Sequence, residues 1–266
     1  MIGFIGVGNM GGALAECACK SVGAWQIAVS SRTREHAEAV AARLGCRASE
    51  NAALAAQARL LFLGVKPHQL AGALRPLQEI LQRRSDRFAL VSMAAGVTTE
   101  QLAAYAGGSY PIIRLMPNTP AQVGAGMVPF CTNAAANAED VDALKAALAS
   151  AGRVEPLPEA QMDAISALSG CGPAFVYLML EALADAGVAC GLPRGLAQEA
   201  AAQTALGAAQ MVLQTGKHPA ALKDAVCSPG GSTIAGVLAL ERGGFRAAAE
   251  QAVLAAFEKT KKLGNL

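Results

Sequence analysis

The apolar positions of this chain follow two regimes. Up to Pro156, short apolar runs alternate with helical periodicities. Ile2–Ile5 reads as a buried strand that ends at glycines, and Asn9–Val22 reads as a helix. Gln26–Ser30 predicts a second strand, Glu35–Leu44 a second helix and Glu50–Gln57 a short one. Further strands are expected at Leu60–Val65, stopped by Lys66-Pro67, at Phe88–Ser92 and at Ile112–Leu115. Met127–Phe130 is expected as an edge strand, Ala138–Ser150 as a helix and Gly152–Pro156 as a short last strand. Strands alternating with helices imply an α/β fold, a doubly wound parallel sheet covered on both faces.

From Glu159 onward the pattern contains no convincing strand. Helical runs follow at 159–169, 173–189, 193–214, 218–226, 232–242 and 244–263, separated by short glycine-proline breakers. His218, just before Pro219, is expected to cap a helix start. The change places a boundary near 155–160, giving domains 1–157 and 158–266, the second all-helical. The runs at 173–189 and 193–213 are nearly apolar around their whole circumference and therefore need burial. A unit that small cannot bury them within itself, so the pattern predicts a homodimer through the helical half.

Composition sharpens this picture. The 266 residues are 53% hydrophobic and 16% charged, which argues against disorder. The net charge of +2 carries no basic stripe, so no nucleic-acid partner is expected. Seven cysteines without CxxC spacing suggest neither a disulfide framework nor a metal site, and point to a reducing, cytoplasmic setting. The longest apolar runs are broken by glycine, proline or charge short of the roughly 20 residues of a membrane span, so no membrane partner is expected.

The candidate chemistry lies at two glycine-rich turns. Gly6-Val7-Gly8-Asn9-Met10-Gly11 fits G-x-G-x-x-G, directly after a strand and opening a helix, the context of a dinucleotide site. Gly6 permits the tight turn, Gly8 lets backbone amides approach a pyrophosphate, and Gly11 lets helix and strand pack closely. At the end of the second strand stand Ser31-Arg32-Thr33 and no acid. Hydroxyls and an arginine suit a 2′-phosphate, so NADPH is favoured over NADH. Lys66, after the middle strand, reads equally as a cofactor contact or a solvated lysine, and Ala94-Ala95-Gly96 leaves room for a nicotinamide ring. Far along the chain, Ser228-Pro229-Gly230-Gly231-Ser232-Thr233 leads into a helix. It reads either as an anion-holding turn or as simple capping by serine or threonine.

The chain resembles the pyrroline-5-carboxylate reductases. The resemblance rests on Phe4–Met10, Val65-Lys66-Pro67, Ala94–Thr98, Arg114–Pro120, Ala167–Gly170, Asp185–Val188, Gly191–Arg194 and His218-Pro219. Its most specific block is Leu222–Ile234. It implies a Rossmann-like first domain and a helical dimerisation domain that interlocks with a second subunit and shares the substrate pocket, and it leaves room for a ring of dimers. It further implies reduction of a cyclic imine carboxylate to proline. The Ser-Pro-Gly-Gly loop would bind the carboxylate through Ser228, Gly230, Gly231, Ser232 and Thr233, with Thr233 at the ring nitrogen. The cofactor would meet Gly6, Gly8, Asn9, Met10, Gly11, Ser31, Arg32, Thr33 and Asn51, together with Val65, Lys66, Pro67, Ala94, Ala95 and Gly96. Cys171 and Ser232 depart from the residues common in the family at those places.

Two rival readings remain at this level. A β-hydroxyacid dehydrogenase shares the first turn but needs a lysine in the helical half, and 160–215 holds none. A non-catalytic NADPH sensor or scaffold would have no use for the second loop.

Overall fold

The computed structural model describes residues 1–263. In chain order its elements are β1 (Ile2–Ile5), α1 (Asn9–Val22), β2 (Ile27–Ser30), α2 (Arg34–Leu44), β3 (Arg47–Ala48), α3 (Asn51–Gln57), β4 (Leu60–Leu63), α4 (Pro67–Leu74) and α5 (Gln78–Gln82). They continue with β5 (Ala89–Ser92), α6 (Thr99–Ala106), β6 (Ile112–Leu115), β7 (Gly126–Thr132), α7 (Ala138–Ala147) and β8 (Gly152–Pro156). The helical half adds α8 (Met162–Ile165), a π-helical turn (Ser166–Gly170), α9 (Gly172–Ala189), α10 (Arg194–Thr215), α11 (Pro219–Ala225), α12 (Ser232–Arg242) and α13 (Phe245–Leu263).

The eight strands form one sheet in the order β3-β2-β1-β4-β5-β6-β7-β8. All neighbours are parallel except β6 and β7. The strand order reverses between β1 and β4, and in such sheets ligands bind beyond the carboxyl ends at that point. Met127–Phe130 is therefore not an edge: β7 lies between β6 and β8, and the short β8 takes the rim. Pro129 fits there because its carbonyl, the group it retains, accepts from the Met116 amide at 2.9 Å.

Each sheet face is covered. On one, Phe4 and Phe62 stack with centroids 4.4 Å apart beneath Leu14, Val40 and Leu144. On the other, Leu61, Leu63 and Leu90 pack with Leu54, Leu70 and Leu102. Fully buried Asp140, at the start of α7, binds Arg59 at 2.8 Å and Arg87 at 2.5 Å. Burial alone would push its carboxyl up. Hydrogen bonds from Arg87, the Asn137 cap and Arg59 nonetheless hold it below the usual carboxylate range.

The described residues form two compact units, one of 1–171 with 256–263 and one of 172–255. They part after Cys171, whereas the change of pattern along the sequence lies at 157/158. Residues 159–171 stay with the sheet because buried Arg114 on β6 pairs with Glu159 at 3.5 Å and Asp163 at 2.9 Å. In addition, Asn118 donates its amide to the Ser169 carbonyl at 3.0 Å.

The second unit is built on the α9–α10 hairpin. A Cβ at Gly187 would lie 3.1 Å from that of Ala197, so small residues set how closely the helices approach. The buried core is only Ala184, Ala197 and Ala201. Tyr177, Leu178, Leu183, Leu196, Met211 and Leu213 stand exposed. Contrary to the expectation from its breakers, Glu159–Ala189 is one helical stretch long and apolar enough, by length and composition, to cross a membrane. The breaker appears as a bend at Cys171, and Pro173 falls in the first turn of α9, where its missing amide is not needed.

Candidate active site

The carboxyl ends of β1 and β4 meet at the switch point. Gly6 adopts a φ of 90°, and its amide donates to the Ser30 carbonyl at 2.9 Å. A Cβ on Gly11 would sit 2.1 Å from the Gly6 carbonyl oxygen, and one on Gly64 would sit 2.2 Å from it. Three backbones thus touch where side chains would keep them apart. Gly8 differs, because a Cβ there would meet nothing within 4 Å. It is the N-cap of α1, no side chain caps that helix, and the first-turn amides of Asn9, Met10 and Gly11 carry the positive end of the helix dipole.

A cavity of about 440 Å³ opens beside this N-terminus. Gly8, Asn9 and Met10 line it together with Gly64, Val65, Lys66, Pro67, Met93, Ala94 and Ala95. Lys66 is the N-cap of α4, and the loop after β5 supplies the opposite wall. That loop is fixed at its start, where the Ala94 amide donates to the Ser92 hydroxyl at 3.2 Å. Gly96 turns it with a φ of 75°.

A second cavity of about 480 Å³ lies at the end of β2, lined by Ser31, Arg32, Arg34, Glu38, Ser49 and Glu50 among others. Arg34 is held by Glu38 at 2.7 Å, whereas Arg32 has no ion pair among the described residues and stays available for an anion. Thr33 is the N-cap of α2 without spending its hydroxyl on the helix. Asn51, the first residue of α3, accepts from the Ser30 hydroxyl at 2.6 Å, which leaves its amide nitrogen to point elsewhere. The expected cofactor residues therefore gather at adjacent strand ends of the first unit. Gly64, Met93 and the Arg34–Glu38 pair were not foreseen. The position of Gly64 directly before Val65-Lys66-Pro67 was the available signal.

The second candidate turn belongs to the other unit. Gly230 has a φ of 68°, the Gly231 amide donates to the Ser228 carbonyl at 3.0 Å, and a Cβ on Gly231 would strike the Ser228 hydroxyl at 2.4 Å. The N-cap of α12 is Gly231, and no side chain caps the helix. The simple capping reading of Ser232 and Thr233 is thus set aside. Both are helical residues in the first turn, exposed and with unpaired amides, beside the exposed Ser228 and Gly230. The described residues hold no group of three or more His, Cys, Asp or Glu suited to a metal.

The comparisons with known proteins match both halves of the chain. Residues 159–263 match the family described as pyrroline-5-carboxylate reductase dimerisation, and residues 1–96 match NADP oxidoreductase coenzyme F420-dependent. The pyrroline-5-carboxylate reductase of Escherichia coli (strain K12) is 43% identical over 99% of this chain and 98% of its own. That of Glycine max is 41% identical over 98% and 95%. The Plasmodium falciparum pyrroline carboxylate reductase, solved with NADP bound, superposes with a TM-score of 0.88 at 32% identity, covering 99% of this chain and 97% of that one. The enzyme from Streptococcus pyogenes gives 0.87 at 33%, covering 98% of each chain. With a Rossmann-like sheet, two uncapped helix N-termini and full-length likeness to these enzymes, the chain belongs to the pyrroline-5-carboxylate reductase family.

Proposed function

We propose that this protein reduces 1-pyrroline-5-carboxylate to L-proline, the last step of proline biosynthesis, with NADPH as the favoured reductant. The observation that carries the substrate assignment is the N-terminus of α12. Its glycine cap leaves the amides of Ser232 and Thr233 free beside the Ser228 hydroxyl, an arrangement complementary to a carboxylate.

The reduced nicotinamide supplies the hydride. The protein's own part is placement. The α1 amides and the open space at Gly8 suit a pyrophosphate, and Asn9, Met10 and Lys66 border it. Arg32, with Ser31 and Thr33, suits a 2′-phosphate, and Asn51 a ribose. Val65, Pro67, Ala94 and Ala95 form small apolar walls that admit a flat ring, and Gly96 turns the loop that carries the last two. The α12 amides hold the substrate carboxylate, and the Thr233 hydroxyl orients the ring nitrogen. A protonated imine accepts hydride readily, so orientation and electrostatics suffice without a strong acid.

The functional division we propose is 1–157 for the cofactor and 158–266 for dimerisation and substrate. The exposed apolar faces of α9 and α10 support a homodimer, and a closed ring of dimers is the further assembly consistent with that pairing. Free thiols at the cysteines fit a cytoplasmic setting.

Adding pyrroline-5-carboxylate to enzyme and NADPH should give loss of absorbance at 340 nm and stoichiometric proline. Binding of NADPH without turnover would instead favour the sensor reading. A lower KM for NADH than for NADPH would overturn the role of Arg32.

A further inference from the structure

The ring-side wall of the 440 Å³ cavity is one loop, Met93 to Thr98, between β5 and α6. Its first anchors are local: the Met93 amide on the Leu63 carbonyl at 3.3 Å and the Ala94 amide on the Ser92 hydroxyl. Its last residue, Thr98, caps α6 in a reciprocal box with Gln101. One residue on, the chain is gripped from a distance of 60 positions. Glu159 accepts from the Thr99 amide at 2.7 Å through one carboxylate oxygen and from the Thr99 hydroxyl at 2.7 Å through the other.

That carboxylate is itself held. Arg114, 6% exposed on β6, reaches Glu159 at 3.5 Å and Asp163 at 2.9 Å. Thr99 is buried. A carboxylate on the first-turn amide of a helix, backed by a buried guanidinium, is a stiff anchor. The capping box takes the Thr98 and Gln101 amides and leaves that of buried Thr99, which Glu159 takes, so Glu159 is, among the described residues, the one long-range hold on the end of this loop.

We infer that Glu159 is a positioning residue for the cofactor: through Thr99 it fixes the end of the loop that carries Ala94, Ala95 and Gly96, and so sets the width of the cavity beside Val65 and Lys66. The inference rests on the reading of that cavity as the nicotinamide end of the NADPH site. The residue touches neither substrate nor cofactor, and its effect passes through the loop.

The test compares Thr99→Val, Thr99→Ser, Glu159→Gln and the double variant Thr99→Val/Glu159→Gln in the full-length protein. The readouts are NADPH binding by nucleotide fluorescence, KM and kcat with pyrroline-5-carboxylate, and the thermal midpoint. One lost hydrogen bond of this kind should weaken NADPH binding and raise its KM by about three- to tenfold, with kcat little changed. Thr99→Ser should restore both. The double variant should be no worse than Glu159→Gln alone, because both changes open the same latch. Unaltered NADPH binding in variants whose midpoint alone falls would overturn the inference, as would full additivity. If Glu159→Gln fails to fold, the Thr99→Val and Thr99→Ser pair decides. A wild-type protein that binds no NADPH would overturn the cavity reading and the latch together. Normal binding by the wild type with variants equal to it would overturn the latch alone.

Discussion

Helices α1 and α12 both begin at a glycine that leaves their first amides without a side-chain partner, yet they are held in opposite ways. At α1 the turn is wedged into its unit: Gly6, Gly11 and Gly64 touch backbone to backbone, and buried strands lie on either side. At α12 the turn is exposed, and its shape comes from the positive φ of Gly230 and one bond between Gly231 and Ser228. The first site is made rigid by what it packs against. The second is shaped by local torsions, in a unit whose buried core is three alanines. On the proposed reading, the turn that would meet the pyrophosphate is a fixed part of the sheet. The turn proposed for the substrate is local, and holding a carboxylate there would need only a few amides and one hydroxyl.

The contrast can be broken by adding a methyl group at each turn. Gly11→Ala drives a Cβ into the Gly6 carbonyl, and it should cost about 3 kcal/mol or more of stability and abolish NADPH binding. Chemical denaturation with a nucleotide titration checks this, and retention of both would mean the turn is looser than its contacts. Next in size is Thr233→Ala, which should lower kcat about a hundredfold with the fold intact, as removal of one well-placed donor does elsewhere. Thr233→Ser should recover most of that loss, and wild-type turnover in the alanine variant would remove Thr233 from the reaction. Arg32→Ala should raise the KM for NADPH about tenfold and leave that for NADH nearly unchanged. An equal rise for both nucleotides would show that Arg32 does not read the 2′-phosphate. Smallest is Gly230→Ala, where forcing an L-residue to a φ of 68° should cost about 1 kcal/mol, seen as a few degrees in the thermal midpoint. An effect there as large as at Gly11 would erase the distinction between the two turns.

The parts legible in the sequence were those whose signal is local. Asn9–Val22 and Ile112–Leu115 match residue for residue, and the glycine spacing placed the first turn on the correct strand end. His218 also caps as expected, its ring accepting from the Ala220 amide at 3.2 Å. β3 was invisible because it is only Arg47–Ala48, both exposed, and is a strand only by pairing with β2. α4 and α5 are too short for periodicity to declare, with Arg75-Pro76 between them. β7 misled because a proline within four apolar residues resembles a rim, and only pairing on both sides shows otherwise. Gly64 lies outside the fingerprint motif and matters only because β4 lies beside β1. No spacing could join Glu159 to Thr99, since the two are 60 positions apart and Glu159 follows β8, three places from β5 in the sheet order. The identity of the substrate came from resemblance, and the uncapped start of α12 supplies a physical reason for it.

The small core of the α9–α10 unit has a consequence for handling the enzyme. Where folded and associated states share one equilibrium, stability becomes a mass-action quantity. Dilution then acts as a mild denaturant, and heating curves should shift with protomer concentration. Specific activity should fall below a threshold concentration and return on adding catalytically dead protomers that still associate. A unit with Tyr177, Leu178 and Leu213 on its surface makes the number of neighbours in solution part of its own folding free energy.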